Sequence, residues 1–213
     1  MTENKTNQEI IDDFQKLYYQ NEITWKGLTW MGVYIQKMPT DLLIYQEILY
    51  ELRPDLIIET GTMFGGSAYY LANICDLLGG GKIISIDINS DINRPFHPRI
   101  TYIKGSSTAP SIIEQVKKQI TPNMTVMVIL DSDHTKAHVQ QELNLYSKLV
   151  TKDQYLIVEG SCINGHALIP NFGPGPYEAI DEFLSINQEF AIDKSREKLM
   201  LTFNPNGYLR KVL

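Results

Sequence analysis

Asp131, Asp133 and His134 stand together directly after the apolar run 125–130, and they are the residues best suited to chemistry. An imidazole titrates near neutrality, so His134 can take a proton from a hydroxyl nucleophile; it can equally serve as a helix-start hydrogen bonder. A further acid, Glu159, closes the apolar run Tyr155–Val158. On neighbouring strand ends, Asp131 and Glu159 would form an oxygen pair able to hold Mg2+ with waters, because hard cations take oxygen ligands. His138 lies one helical turn beyond His134, but the glutamate that a zinc-peptidase helix carries between its histidines is absent. His97 and His166 fall in loops, where surface exposure is the default and His166 can line a lid.

A second stretch has the form of a binding turn. Leu56-Ile57-Ile58-Glu59-Thr60-Gly61-Thr62-Met63-Phe64-Gly65-Gly66-Ser67 runs from a buried strand through glycines into a helix start. Such a turn receives nucleotide-like ligands. No lysine follows the glycines, so it is not a phosphate loop, and Met63 breaks the dinucleotide fingerprint. Glu59 would repel a pyrophosphate. It suits a cationic or zwitterionic end instead, such as the amino group of a methionine-derived sulfonium cofactor. Asp87, ending the run Lys82–Asp87, can accept from a ribose diol. Gly105-Ser106-Ser107 either approaches an adenine or is an ordinary polar turn.

These residues need elements to hold them. Apolar runs at 56–60, 82–87, 100–104, 125–130 and 155–158 read as strands, and helical periodicity fills the intervals. Strands alternating with helices imply a parallel sheet covered on both faces, with ligands at the carboxyl ends of the strands. Residues 1–6 read as loose. From Asn7, a candidate cap, Ile10, Ile11, Phe14, Leu17 and Tyr18 share one helical face. Trp25 and Trp30 fall in an irregular segment, where large aromatics most often cover a core. Pro39 opens a helix with Tyr45, Ile48 and Leu49 inward, and Pro176 opens another with Ala179, Ile180 and Phe183 inward. The long glycine- and proline-rich stretch 160–175 has the form of a lid. The tail reads as strands at 190–192 and 208–212, with 199–203 as a doubtful third and Asn204-Pro205-Asn206-Gly207 as the turn between the last two.

The 213 residues suit one α/β domain, and a 43% apolar share is ordinary for a globular chain. A net charge of −6 argues against general nucleic-acid binding. Cys75 and Cys162 give neither zinc spacing nor a disulfide framework, which fits a reducing compartment. The start of the chain carries no signal core and no run is long enough to span a bilayer, so a cytoplasmic protein is expected.

Together the motifs resemble one family. Glu59 to Ser67, Ser85-Ile86-Asp87-Ile88, Asp131-Ser132-Asp133-His134 and Val158-Glu159 are similar to the cephalosporin hydroxylase / rhamnosyl O-methyltransferase family. So are Pro174-Gly175-Pro176 with the helix from Glu178 to Leu184, Thr29 to Gly32, Lys37-Met38-Pro39, Tyr45 to Leu49, and Arg196-Glu197-Lys198 with Phe203 to Leu209. The resemblance implies a Rossmann-like class I fold that uses S-adenosylmethionine. Its mostly parallel seven-stranded sheet would carry an antiparallel edge hairpin, with a helical extension over 1–54 packed on a methyltransferase domain over 55–213. It implies cofactor contacts at Glu59, Gly61, Gly65, Ser67 and Asp87; Thr62, Ser106, Ser107 and Asp131 are expected beside them. A metal would fall on Asp131, Glu159 and the next residue, but that residue is Gly160, so Mg2+ would lack one ligand. Asp133 is a substitute that strand alternation points away. His134 occupies the place of a basic residue in catechol-type relatives.

The implied activity is O-methylation of a small hydroxylated molecule, a sugar or natural product; a homo-oligomer is expected, with the N-terminal helices as candidates for the subunit contact. Two other readings stay open. One is a nicotinamide-dependent oxidoreductase, against which Glu59 and the missing glycine speak; the other is a cofactor-binding protein without catalysis, which Gly160 keeps open.

Overall fold

The computed structural model describes residues 5–89 and 92–213; the expectation for residues 1–4 lies outside them. Helix α1 (Asn7–Gln20) is capped by Thr6 rather than Asn7. Thr6 Oγ1 accepts from the Glu9 amide at 3.3 Å and Glu9 Oε2 accepts from the Thr6 amide at 2.7 Å, so two otherwise orphaned donors are satisfied reciprocally. The apolar stripe of α1 is exposed at Ile10, Phe14 and Leu17. The helix docks through another face, where buried Gln15 donates to the Thr202 carbonyl and Tyr18 and Tyr19 meet Phe203. A short helix α2 (Glu22–Trp25) and the hairpin β1 (Thr29–Trp30) and β2 (Val33–Tyr34) follow. That segment is more regular than its composition suggested, and its two tryptophans part company. Trp30 packs edge-on against Tyr70 at 4.9 Å beside the core, while Trp25 turns to the cavity described below.

Helix α3 (Pro39–Leu52) leads into β3 (Leu56–Thr60), α4 (Gly66–Leu78), β4 (Lys82–Asp87), β5 (Ile100–Lys104), α5 (Pro110–Lys117), β6 (Val126–Leu130), α6 (Lys136–Tyr146), β7 (Tyr155–Val158), α7 (Pro176–Ile186), β8 (Phe190–Ile192) and β9 (Tyr208–Lys211). Among the described residues, seven strands form one sheet in the order β5-β4-β3-β6-β7-β9-β8. The first five are parallel; β9 runs antiparallel to both its neighbours. Every residue of β3, β6 and β7 is buried, as a parallel sheet covered on both faces requires. On one face Ile44, Ile48 and Leu49 of α3 pack in a single cluster with Ile57, Leu71 and Ile129. Each such side chain stabilises the fold by roughly 1.5–3 kcal/mol.

The segment 199–203 is not a strand, and β9 pairs with Phe190–Ile192 instead. The reason lies in where its backbone bonds go. Thr40 donates to the Leu201 carbonyl, and Asp41 accepts from Thr202 Oγ1 at 2.6 Å and from the Phe203 amide at 2.9 Å. The start of α3 therefore claims the groups a ladder would need. No helix among the described residues is long and apolar enough to cross a membrane.

Candidate functional site

The parallel register builds the site. Thr60 pairs with Ile86 and with Leu130, and Leu130 pairs with Val158. The next residue on each strand extends the ladder by one bond: Gly61 to the Ile86 carbonyl at 2.8 Å, Asp131 to Thr60 at 3.1 Å, Glu159 to Leu130 at 2.9 Å. Asp87, Gly61, Asp131 and Glu159 thus stand in one row along the carboxyl edge of the sheet. A glycine is required in that row. Gly61 has φ of +82°, and a Cβ there would lie 1.7 Å from the Asp131 carbonyl oxygen.

Above the row lies a cavity of about 740 Å³. One side is formed by the turn at Gly61, Thr62, Gly66 and Ser67, by Asp87, and by Ser106 and Ser107. The other is formed by Tyr19, Trp25 and Phe203 with Ile163, Leu168 and Phe172 of the long loop. Lys37, Asp131, His134 and Glu159 lie where the two sides meet.

Two expected cofactor contacts move. Glu59 pairs with Ser85 and Ile129, one full pleat below the row, and is completely buried. Its oxygens accept from Ser67 Oγ and, at 2.5 Å, from Ser85 Oγ, so it braces the turn from beneath and reaches the cavity through Ser67. Gly65 also misses the cavity; it caps α4 with positive φ beside Pro95 and Tyr102, and Gly66 lines the wall instead. Gly61, Thr62, Ser67, Asp87, Ser106, Ser107 and Asp131 all line it. Asp87 accepts from the Met63 amide and the Asn89 amide, each at 2.7 Å, which locks the glycine turn to the end of β4. Arg94 Nη2 also lies 3.4 Å from the Oδ2 that takes the Met63 amide, so Oδ1 is the oxygen with acceptor capacity left for a ribose hydroxyl.

Asp131 and Glu159 come together, but around Lys37, which the sequence reading quoted in a motif and gave no role at the site. Lys37, from the loop before α3, is 3% exposed. Its ammonium donates to Asp131 Oδ2 and, at 2.6 Å, to Glu159 Oε2. The Tyr45 hydroxyl donates to Glu159 Oε1 at 2.8 Å, and Asn204 Nδ2 donates to that hydroxyl at 3.2 Å. Burial opposes the charge on Lys37, but the two carboxylates outweigh it and hold the ammonium well above its ordinary range. Burial also raises Glu159, helped by the like charge of Asp131. Asp131 goes the other way: burial would raise it, but Lys37 and His134 pull it below the usual carboxylate value.

His134 Nε2 lies 3.2 Å from Asp131 Oδ1. Burial would lower this imidazole, but the bond to Asp131 and its charge win and raise it. Asp133 is exposed and lines the same cavity, and its Oδ1 accepts from the Thr135 amide at 2.7 Å. His138 Nε2 meets Ser107 Oγ at 3.1 Å rather than sharing a metal with His134. His166 does not line the cavity; it stacks on Tyr177 at 3.6 Å and bonds Glu178 at 2.9 Å, tying the long loop to α7. Gly160 has φ of +70°, and a Cβ there would lie 2.7 Å from the His134 ring. A side chain at position 160 would therefore have to displace the His134 ring. Lys37, Tyr45 and Asn204 were missed as a network. Their only signal was that each falls in a motif shared with the family, Lys37-Met38-Pro39, Tyr45 to Leu49 and Phe203 to Leu209.

The family model for Rhamnosyl O-methyltransferase/CmcI matches residues 22–212. A rhamnosyl O-methyltransferase of Mycobacterium leprae is 42% identical over 207 residues, covering 94% of this chain and 90% of that protein. A rhamnosyl O-methyltransferase of Mycobacterium tuberculosis is 40% identical over 208 residues, covering 94% of this chain and 84% of that protein. A solved structure of CmcI with Mg and SAM superposes with a TM-score of 0.68 at 21% identity, covering 88% of this chain and 78% of that one; it shares the fold.

Proposed function

Because this chain belongs to the rhamnosyl O-methyltransferase/CmcI family and is an S-adenosylmethionine-dependent methyltransferase, we propose that it methylates a hydroxyl of a small sugar or natural product. The observation that carries this reading is the row Asp87–Gly61–Asp131–Glu159 beneath one cavity, with a histidine at the junction of its two sides. The residues present fit the cofactor: an unobstructed glycine turn, the Ser67 hydroxyl at a helix start, and a fixed acid at the end of β4. In this reading Gly61, Thr62 and Ser67 hold the amino-acid end, Asp87 the ribose, and Ser106 and Ser107 the base. Residues 1–54 are an extension on a methyltransferase core of 55–213 that also walls the acceptor side.

When bound, the sulfonium supplies an electrophilic methyl group. The chain's own part is to position the acceptor, exclude water and take a proton. With His134 Nε2 donating to Asp131, Nδ1 is the nitrogen that removes the hydroxyl proton, and Asp131 steadies the imidazolium that results. Tyr19 stacks on Trp25 at 4.9 Å, with Phe203 edge-on to both, which offers a flat aromatic wall. Such a wall suits the carbon-rich face of a deoxysugar, the acceptor that the relatives' names describe. Two free, buried cysteines support a reducing, cytoplasmic setting. The exposed residues Ile10, Phe14 and Leu17 support the self-association expected of α1. The test is transfer of labelled methyl from the cofactor to a panel of rhamnosides and other hydroxylated acceptors. Failure to bind S-adenosylhomocysteine by calorimetry would sink the reading.

A further inference from the structure

The two acids at the centre of the site are already held by a cation that the chain supplies. Lys37 bridges one oxygen of Asp131 and one of Glu159; the remaining oxygens take His134 and Tyr45. Each of the four carboxylate oxygens therefore already meets one of this chain's own groups. Mg2+ demands near-octahedral oxygen coordination at about 2.1 Å. Among the described residues, no three His, Cys, Asp or Glu side chains are grouped to hold a metal ion. The place for a third acid is Gly160, and the His134 ring fills the space above it. As arranged, the residues do not fit a divalent ion.

Two departures offset each other here. The site lacks one carboxylate, and Lys37 brings one positive charge fewer than a divalent ion would bring. An ammonium has three donors, and two of those on Lys37 are committed to the acids. Lys37 also lines the cavity beside His134.

We propose that Lys37 is the resident cation of this site in place of a divalent metal, and that its third N–H holds the acceptor oxygen during methyl transfer. This rests on reading the site as a methyl-transfer centre. The acceptor proton passes to His134 while Lys37 keeps its own protons. The ammonium steadies the negative charge growing on the oxygen as the new oxygen–carbon bond forms and the sulfur–carbon bond breaks. The sulfonium leaves as a neutral thioether.

The deciding experiment is a Mn2+ titration of the wild-type protein followed by electron paramagnetic resonance, run beside a methyl-transfer assay in excess chelator. The expected result is no Mn2+ binding at millimolar concentration and an unchanged rate in chelator. Tight Mn2+ binding, or a rate abolished by chelator and restored by Mg2+, would overturn the proposal. A second arm uses Lys37→Met. Turnover should fall about 10²-fold, the usual effect of losing one donor to a developing oxyanion, with affinity for S-adenosylhomocysteine retained. Unchanged turnover in that variant would also overturn the proposal. If the variant does not fold, the wild-type titration decides alone. Metal binding is read without turnover, so its outcome stands apart from failure of the methyltransferase reading, which loss of S-adenosylhomocysteine binding would reveal.

Discussion

The two sides of the cavity are built differently. The cofactor side is local: Glu59 braces Ser67 eight residues on, and Asp87 ties to Met63 across 24 residues. The acceptor side is assembled from distant pieces. Lys37 reaches Asp131 across 94 residues and Glu159 across 122, and Asp41 holds Thr202 across 161. A side made of one turn and its neighbouring strand depends mainly on backbone register. A side made of distant segments depends on buried polar bonds, each of which leaves a partner stranded when broken.

That contrast can be broken experimentally, and the largest effect should come at the junction. His134→Ala should lower kcat by about 10²–10⁴-fold, the usual range for a lost general base, while calorimetry gives the wild-type affinity for S-adenosylhomocysteine. A parallel loss of affinity would place His134 on the cofactor side instead. On the acceptor side, Asp41 accepts from Thr202, from the Phe203 amide and, at 2.8 Å, from Tyr208. Asp41→Ala should destabilise the protein by about 3 kcal/mol, because three buried donors lose their acceptor. Thermal or urea unfolding measures this, and a change under about 0.5 kcal/mol would show that the brace is idle. On the cofactor side, Asp87→Ala should weaken S-adenosylhomocysteine binding roughly 10-fold or more, the worth of one hydrogen bond to a charged group. Unchanged affinity would remove Asp87 as the ribose acceptor.

Smaller effects follow pH. His134 must be neutral to act as a base, and Asp131 raises its pKa above the ordinary 6.5. Turnover should therefore fall as pH drops through that raised value; a flat profile would argue against the base. Smallest is the anchor of the long loop. Burial would raise Glu178, but the Gly175 amide, His166 and Asn164 together bring it down to about 2. A depressed acid adds stability above its unfolded value of 4.5 and loses it as pH falls toward 2. Glu178→Gln should flatten part of that acid limb in melting curves taken from pH 5 downward.

The same contrast explains what could be read from the chain alone. β3, β6 and β7 were legible because full burial writes mostly apolar runs, and their carboxyl ends could be counted directly. Gly61 and Asp87 followed from the turn. Glu59 was legible as important but not as submerged, since depth below the edge comes from register with Ser85 and Ile129. The stripe on α1 was read by periodicity, yet Gln15 decides which face docks. The segment 199–203 has strand-like composition, but the start of α3 claims its backbone partners. Lys37 could not be found by spacing, because nothing local distinguishes a lysine that folds into a carboxylate pair from one that faces solvent.

The most direct test of the central claim pairs wild-type protein with His134→Ala in one methyl-transfer assay, with S-adenosylhomocysteine binding measured on both. If the Asp131–His134 pair beside the cofactor turn carries the reaction, both proteins bind the product cofactor alike and only the wild type methylates the acceptor at full rate. Equal rates in the two proteins would contradict it.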